Sequence, residues 1–275
     1  MNSHCEVLRG FRILILVIPT LFSSLFGQEN TEKAPFSHGE VLQYKVKWNF
    51  IRLGTVIVHQ EQLPMGNTEK YLVRMDVRSA AGLPFINVNF INEAVLQKDV
   101  PSLEYVRVIS GDDPTIFSTF VHDRSREILI ATDSAQGTCL RSDSMRWNGF
   151  LYDALSLFMA TRVLSGGRAK ITLPTLNDYQ IAPTEVVFTG EEEELEVPAF
   201  DREIRCRYVQ GIAKWEGKTF AGMTGAFQGW LTDDEAALPV RAEVKIFLGS
   251  IVLELESYRR MNWSPGTMFR HASLD

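Results

Sequence analysis

Apolar and polar residues alternate along most of this 275-residue sequence, and the alternation limits the chain to a fold built from β-strands. In residues 41–48, Leu42, Tyr44, Val46 and Trp48 fall on one face and polar residues on the other. A period of two is typical of a strand with one buried face. The pattern recurs between turn-forming residues at 55–61, 71–79, 88–98, 103–110, 115–123, 126–132, 169–173, 179–189, 202–209, 225–231, 239–247 and 250–258. We therefore predict a mainly β fold, with a single large antiparallel sheet curled into a barrel or half-barrel.

One segment, at about residues 149–164, has helical spacing instead. Its apolar residues recur every three or four positions, and Arg162 falls on the same stripe. Asn148 is a candidate N-cap, Asp153 suits the first turn, and the glycine pair at 166–167 is a stop signal. We predict one α-helix packed against the sheet.

The N-terminus has the features of a secretory signal peptide. Arg9 and Arg12 precede an apolar run over residues 13–26, which is shorter than the roughly 20 residues of a spanning helix. We predict that residues 1–27 are a signal peptide cleaved near Gly27 and that the protein is exported, either periplasmic or secreted. An uncleaved N-terminal anchor is the alternative.

The remaining chain is predicted to be one domain. Residues 28–35 are polar and are predicted to form a flexible leader, residues 36–260 a single β domain, and residues 261–275 a C-terminal tail. The mature chain has no second apolar stretch long enough for a transmembrane segment.

Charge and cysteine content exclude some classes of protein. The net charge is −6, and no basic stripe indicates a nucleic-acid partner. Cys139 and Cys206 remain after signal cleavage, and either a disulfide or two separate buried thiols is compatible with their number. No spacing of cysteine and histidine indicates zinc, and the acidic run at 191–196 is more typical of a solvated edge than of a metal site. We predict no cofactor.

Four residues near the C-terminus are predicted to shape turns. Asp233 and Asp234 belong to a turn, Pro239 opens the next strand, and Gly249 suits a hairpin. The same two aspartates stand close to Trp230, which is also compatible with a pair of glycosidase carboxylates. Backbone capping is the preferred interpretation.

The sequence contains no motif for nucleophilic, phosphate-binding or metal-assisted catalysis, and His59 and His122 both fall on predicted strands. A curled sheet with one helix can instead enclose an apolar ligand. Candidate cavity residues are Tyr44, Trp48, Phe158 and Trp230, each of which is also compatible with an ordinary core position.

The C-terminal third resembles a known family. Residues 229–258 contain Trp230, a Thr-Asp-Asp turn, a Leu-Pro-Val strand start and a Gly-Ser-Ile hairpin. Residues 39–44 followed by Gly54, residues 152–156 leading to Arg162, and residues 204–207 fit the same pattern. On these motifs the chain resembles the bacterial exported family catalogued as domain of unknown function 3108 (DUF3108). That resemblance implies export and no established activity.

A weaker, fold-level resemblance is to periplasmic lipoprotein carriers of the half-barrel type, which hold acyl chains beneath a helix. The leading hypothesis is therefore an exported envelope protein without a catalytic site that binds an apolar or amphipathic ligand such as a lipid. The alternatives are a hydrolase of an envelope polymer and a structural or partner-binding envelope protein.

Overall fold

A computed structural model describes residues 34–64, 69–83, 87–98, 103–110, 114–177, 179–214, 225–246 and 249–265. The predicted signal peptide, most of the predicted leader and most of the predicted tail lie outside these residues. The described strands are β1 Glu40–Trp48, β2 Ile51–Leu63, β3 Lys70–Ser79, β4 Asn89–Gln97, β5 Tyr105–Ser110, β6 Ile116–Asp123, β7 Ile128–Ala135, β8 Thr138–Arg146, β9 Ala169–Asn177, β10 Gln180–Leu195, β11 Ile204–Ala213, β12 Gly225–Thr232, β13 Pro239–Ile246 and β14 Gly249–Arg259. The helix α1 is Ala154–Leu164.

The strands form one 14-stranded antiparallel sheet, as the alternation predicted. Its order is β8-β7-β6-β5-β4-β3-β2-β1-β14-β13-β12-β11-β10-β9. Two meanders, β1–β8 and β9–β14, join where β1 pairs with β14. The first and last described strands therefore lie side by side at the centre of the sheet, and β8 and β9 are its edges.

The sheet is curled rather than closed, as expected of an open sheet with more than about 10 strands. The two edges approach each other, because the Arg141 guanidinium of β8 lies 3.5 Å from the ring centroid of Tyr179, which follows β9. The connection from β8 to α1 lies along β9: the Tyr152 amide donates to the Pro174 carbonyl (3.0 Å), and the Leu176 amide donates to the Tyr152 carbonyl (2.6 Å). This half-barrel confirms the predicted fold class.

The helix begins later than predicted. Asp153, and not Asn148, is the N-cap: its carboxylate accepts from the backbone amides of Leu155 (3.1 Å) and Ser156 (3.0 Å). The Asp153 amide donates to the Ser156 hydroxyl, which completes a capping box. Because Tyr152 is paired with β9, the helix begins at Ala154 instead of near residue 149.

Strand β8 was missed by the sequence analysis. Nearly every residue of β8 is exposed, so its sequence shows no apolar face. The acidic run was expected at a solvated edge, and its glutamates Glu191 to Glu194 are exposed, but the run also extends β10, because Glu192 to Leu195 pair with β11. In both places the strand is defined by backbone pairing and not by a buried side-chain face.

The core lies between the inner, concave face of the sheet and α1. Leu42, Val73 and Leu96 from the sheet and Leu155 and Met159 from the helix are all 0–1% exposed. Burial of such side chains is the main stabilising term for the fold. Among the described residues, no helix has the length and apolar character needed to cross a membrane.

Candidate functional site

A cavity of about 760 Å³ lies between the inner face of the sheet and α1. Alternate residues of the strands line it, because every second side chain points to the same face. The helix covers it with Ala154, Leu157, Phe158 and Thr161. Most of the sheet wall is apolar and includes Val46, Val56, Met75, Val77, Val88, Phe90, Val106, Val108, Phe120, Phe227, Val244, Ile251 and Leu253.

Gly54 shows how closely the backbone is packed at one side of this wall. A Cβ at this position would stand 2.3 Å from the Arg78 carbonyl oxygen of the neighbouring strand. Glycine is therefore required where β2 and β3 meet the cavity.

A few polar side chains interrupt the apolar wall: Arg78, Ser79, Asn92, Ser110, Ser118 and Asn177. Asn92 differs from the rest because it is only 6% exposed and its Oδ1 has no hydrogen-bond partner. Asp153 is the carboxylate among the described lining residues, and its oxygens cap α1. Among the residues that the structure describes, neither histidine nor cysteine lines the cavity.

A buried ion pair holds the C-terminal half of α1 against the sheet. Arg162 and Glu40 have fully buried side chains and form a bidentate pair, with Nη1–Oε1 and Nη2–Oε2 distances of 2.7 and 3.1 Å. Arg162 also donates to the Ala236 carbonyl, and Glu40 accepts from Gln60 and Arg260. This buried network joins β1, β2, α1, the turn after β12 and the residue that follows β14.

The four candidate cavity residues occupy different places. Phe158 lines the cavity, whereas Tyr44, Trp48 and Trp230 are not among the lining residues. Tyr44 is buried near the ion-pair network, and its hydroxyl donates to the Pro239 carbonyl (2.9 Å). Burial raises the pKa of the Tyr44 phenol, so this hydroxyl stays protonated as a donor.

The two candidate tryptophans, Trp48 and Trp230, lie outside the cavity lining. Trp48 ends β1, where it pairs with Ile251. The Trp230 ring packs against Tyr208 at 5.5 Å between centroids, and its indole N–H donates to Glu193 (2.9 Å).

The predicted turn residues make structural contacts. Asp233 forms ion pairs with Arg207 and Arg205 at 2.5 and 3.4 Å. Pro239 opens β13, and Gly249 opens β14 with a φ of 90°, a conformation that favours glycine. Neither Asp233 nor Asp234 lines the cavity, so the described residues give the hydrolase alternative no support.

Asp234 caps the turn that follows β12. Its Oδ1 accepts from the Thr232 hydroxyl (2.8 Å) and from the amides of Ala236 (3.0 Å) and Ala237 (3.1 Å).

We expect Asp234→Ala to lower the free energy of unfolding by about 1–3 kcal/mol, because these buried donors lose their acceptor. Urea unfolding measures this, with exposed Asp143→Ala as the control. Equal stability of the two variants would contradict the capping role.

The two cysteines are separate thiols in this structure. Cys139 is exposed on β8 and Cys206 is buried on β11. Burial, with repulsion from Asp234 and Asp233, raises the pKa of the Cys206 thiol to about 12. Cys206 is therefore a protonated core residue at neutral pH.

A second depression, of about 520 Å³, contains Lys70, Glu104 and Arg124. Glu104 pairs with both cations, at 2.8 Å from Lys70 and 3.5 Å from Arg124. Because these charges satisfy one another, the cavity beneath α1 is the stronger candidate for a binding site.

In the part of the chain that the structure describes, a curled antiparallel sheet with one helix over an apolar cavity defines a β-barrel-like protein. The chain belongs to the family described as "Protein of unknown function (DUF3108)", whose model matches residues 43–256. The resemblance drawn from the sequence motifs is thereby confirmed. No curated protein matches the chain in sequence.

A solved β-barrel-like structure shares this architecture. The chain is similar to a β-barrel-like protein of domain of unknown function DUF1849 from Brucella abortus, with a TM-score of 0.53 and 8% identity over 82% of this chain and 99% of that one. It also matches a protein from Bacteroides fragilis, described as a predicted exported protein with a YmcC-like fold, with a TM-score of 0.36 and 11% identity over 84% of this chain and 100% of that one. A predicted lipoprotein from Parabacteroides distasonis matches with a TM-score of 0.36 and 11% identity over 83% of this chain and 99% of that one.

Proposed function

We propose that this protein is an exported, non-catalytic binding protein that holds an apolar or amphipathic ligand, such as a lipid, between α1 and the inner face of the sheet. The observation that carries the proposal is the cavity of about 760 Å³ with its mainly apolar wall. Its volume falls within the roughly 300–1,000 Å³ of small-molecule sites. Protein interiors are mostly close-packed, so a concave space of this size favours a binding role.

The chemistry of the wall favours an apolar chain as the occupant. Such a chain would cover the valine, phenylalanine and leucine side chains of the wall and remove their surface from water, at about 25 cal/mol per Å². Among the described lining residues the carboxylate is Asp153, which is engaged in the helix cap, so these residues provide no free acid–base pair for hydrolysis. These features support binding over catalysis.

Export rests on the sequence. A basic start, an apolar run at residues 13–26 and a small residue at Gly27 are typical of a cleaved signal peptide. Under this proposal the mature protein begins near Gln28 and works in the periplasm or outside the cell, where envelope lipids are available.

Native mass spectrometry of protein purified from a periplasmic extract without detergent tests both ligand binding and signal-peptide cleavage. We expect an intact mass that lacks residues 1–27, and a discrete bound species that extracts into organic solvent as a lipid. Displacement of a fluorescent apolar dye by fatty acids and phospholipids is the second readout. A ligand-free mass together with no dye displacement would overturn the binding proposal, and retention of residues 1–27 would overturn cleavage.

A further inference from the structure

Among the described residues of the cavity wall, Asn92 is the buried polar group that the fold leaves unsatisfied. The residue is 6% exposed, lines the cavity, and its Oδ1 accepts no hydrogen bond. A buried acceptor without a partner is destabilising relative to its hydrated state. Buried polar side chains are normally paired, so this group requires an explanation beyond folding.

The position of Asn92 directs its side chain to the cavity. Phe90 and Asn92 are alternate residues of β4, and both line the cavity. Asn92 pairs with Met75 on one side and Val108 on the other, and both of these neighbours also line the wall. The amide is therefore surrounded within the sheet by apolar side chains that offer no donor to its oxygen.

A ligand can supply the missing donor, and the surroundings limit what kind of donor it is. A carboxylate is only an acceptor and cannot satisfy Asn92 Oδ1. A buried ammonium would need a counter-ion, and among the described lining residues the carboxylate, Asp153, already accepts hydrogen bonds from Leu155 and Ser156. A neutral hydroxyl fits because it can donate one hydrogen bond without bringing a net charge into the cavity.

We propose that the cavity selects a hydroxylated apolar chain, such as a hydroxy-acyl lipid, whose hydroxyl donates to Asn92 Oδ1. This inference rests on the proposed ligand-binding function and specifies the ligand class. An unsubstituted chain fills the same space but leaves the Asn92 oxygen unpaired. Sites built to hydrogen-bond a ligand hydroxyl discriminate against analogues without it for this reason.

The test compares hexadecanoic acid with its isomers that carry one hydroxyl at successive carbon positions. Affinity is measured by displacement of a fluorescent apolar dye from the purified full-length mature protein. We expect at least one isomer, with its hydroxyl at the depth of Asn92, to bind about threefold to tenfold more tightly than the parent acid.

Two variants identify the group responsible. In Asn92→Leu the preference for the hydroxylated isomer should disappear while the parent acid binds at least as tightly as before. The melting temperature of the ligand-free variant should be unchanged or higher, since an unpaired polar group has been replaced by an apolar one of similar size. Asn89→Leu is the matched control, because Asn89 is exposed on the opposite face of the same strand and should leave the preference intact.

The outcomes separate this inference from the function on which it rests. If the parent acid binds but no isomer binds more tightly, or if Asn92→Leu keeps the preference, hydroxyl selection is wrong and apolar binding stands. If neither the parent acid nor any isomer displaces the dye, both proposals fail together.

Discussion

Replacing Glu40 with glutamine is expected to lower the free energy of unfolding by about 3–5 kcal/mol. Glu40 is the shared acceptor for Arg162, which is fully buried, and for Arg260, whose side chain is 6% exposed. In Glu40→Gln the two guanidinium groups remain close together without a carboxylate, and the new amide N–H₂ group faces other donors. For a domain of this size the expected fall in melting temperature is roughly 6–20 °C.

Glu256→Gln is the matched control for this prediction. Glu256 also accepts two hydrogen bonds from one arginine, at 2.8 and 2.9 Å from Arg52, but this pair lies at the surface. The side chains of Arg52 and Glu256 are 47% and 29% exposed, so solvent screens their attraction. The control should change stability by less than about 1 kcal/mol.

The double variant Glu40→Gln/Arg162→Met separates the charge effect from packing. Removing Arg162 relieves the buried positive charge, so the double variant should be more stable than Glu40→Gln alone. Urea unfolding of the parent, the two single variants and the double variant gives the coupling energy. If Glu40→Gln and Glu256→Gln lose equal stability, the buried network does not hold the helix in place.

The sheet was predictable because burial of one face produces a local signal along each strand. In β1, Leu42 and Tyr44 are buried and alternate with less buried neighbours, and this two-residue period can be read without knowing the partner strand. β8 has no such signal because it is an edge strand with an almost fully exposed sequence. Its existence depends on backbone pairing to β7, which residue types do not reveal.

The ion-pair network was only partly visible in the sequence. Arg162 falls on the apolar stripe of the helix, and a charge at such a position indicates a buried partner. The identity of that partner is a tertiary property, since Glu40 lies 122 residues away in the chain. Glu40 from β1, Arg162 from α1 and Ala236 from the turn after β12 are thus far apart in sequence but form one buried network that stabilises the fold.

The candidate site was likewise only partly predictable from the sequence. Phe158 was expected near the cavity and lines it. Tyr44, Trp48 and Trp230 do not line it, because aromatic character alone does not distinguish a cavity position from a core position. Asn92 was missed although a signal was present: it interrupts the alternating apolar series Val88, Phe90, Ala94 and Leu96. A polar residue on the apolar face of a predicted strand therefore marks a position at which a ligand contact can be tested.

Introducing tryptophan at Ala242 is expected to reduce ligand affinity more than tenfold. Ala242 lines the cavity from β13, between Gly229 and Leu253 of the neighbouring strands. A tryptophan side chain there would occupy cavity space that the ligand needs, because the small Ala242 side chain forms part of the wall. A tenfold loss of affinity corresponds to about 1.4 kcal/mol of binding free energy. Burial of one large apolar group contributes more than this, so losing one such contact is enough for the expected effect.

The fold should tolerate this change, which makes the loss of binding interpretable. The new ring enters existing space and not a packed core, so stability should stay within about 1 kcal/mol of the parent. Ala226→Trp is the matched control: Ala226 precedes the cavity-lining Phe227 on β12 and pairs with exposed Ile212, so its side chain points away from the cavity. Dye displacement by hexadecanoic acid and the yield of extracted lipid should both fall in Ala242→Trp and remain at parent levels in Ala226→Trp. Unchanged affinity in a folded Ala242→Trp variant would place the ligand elsewhere on the protein, since a chain lying against Ala242 cannot share that space with an indole ring.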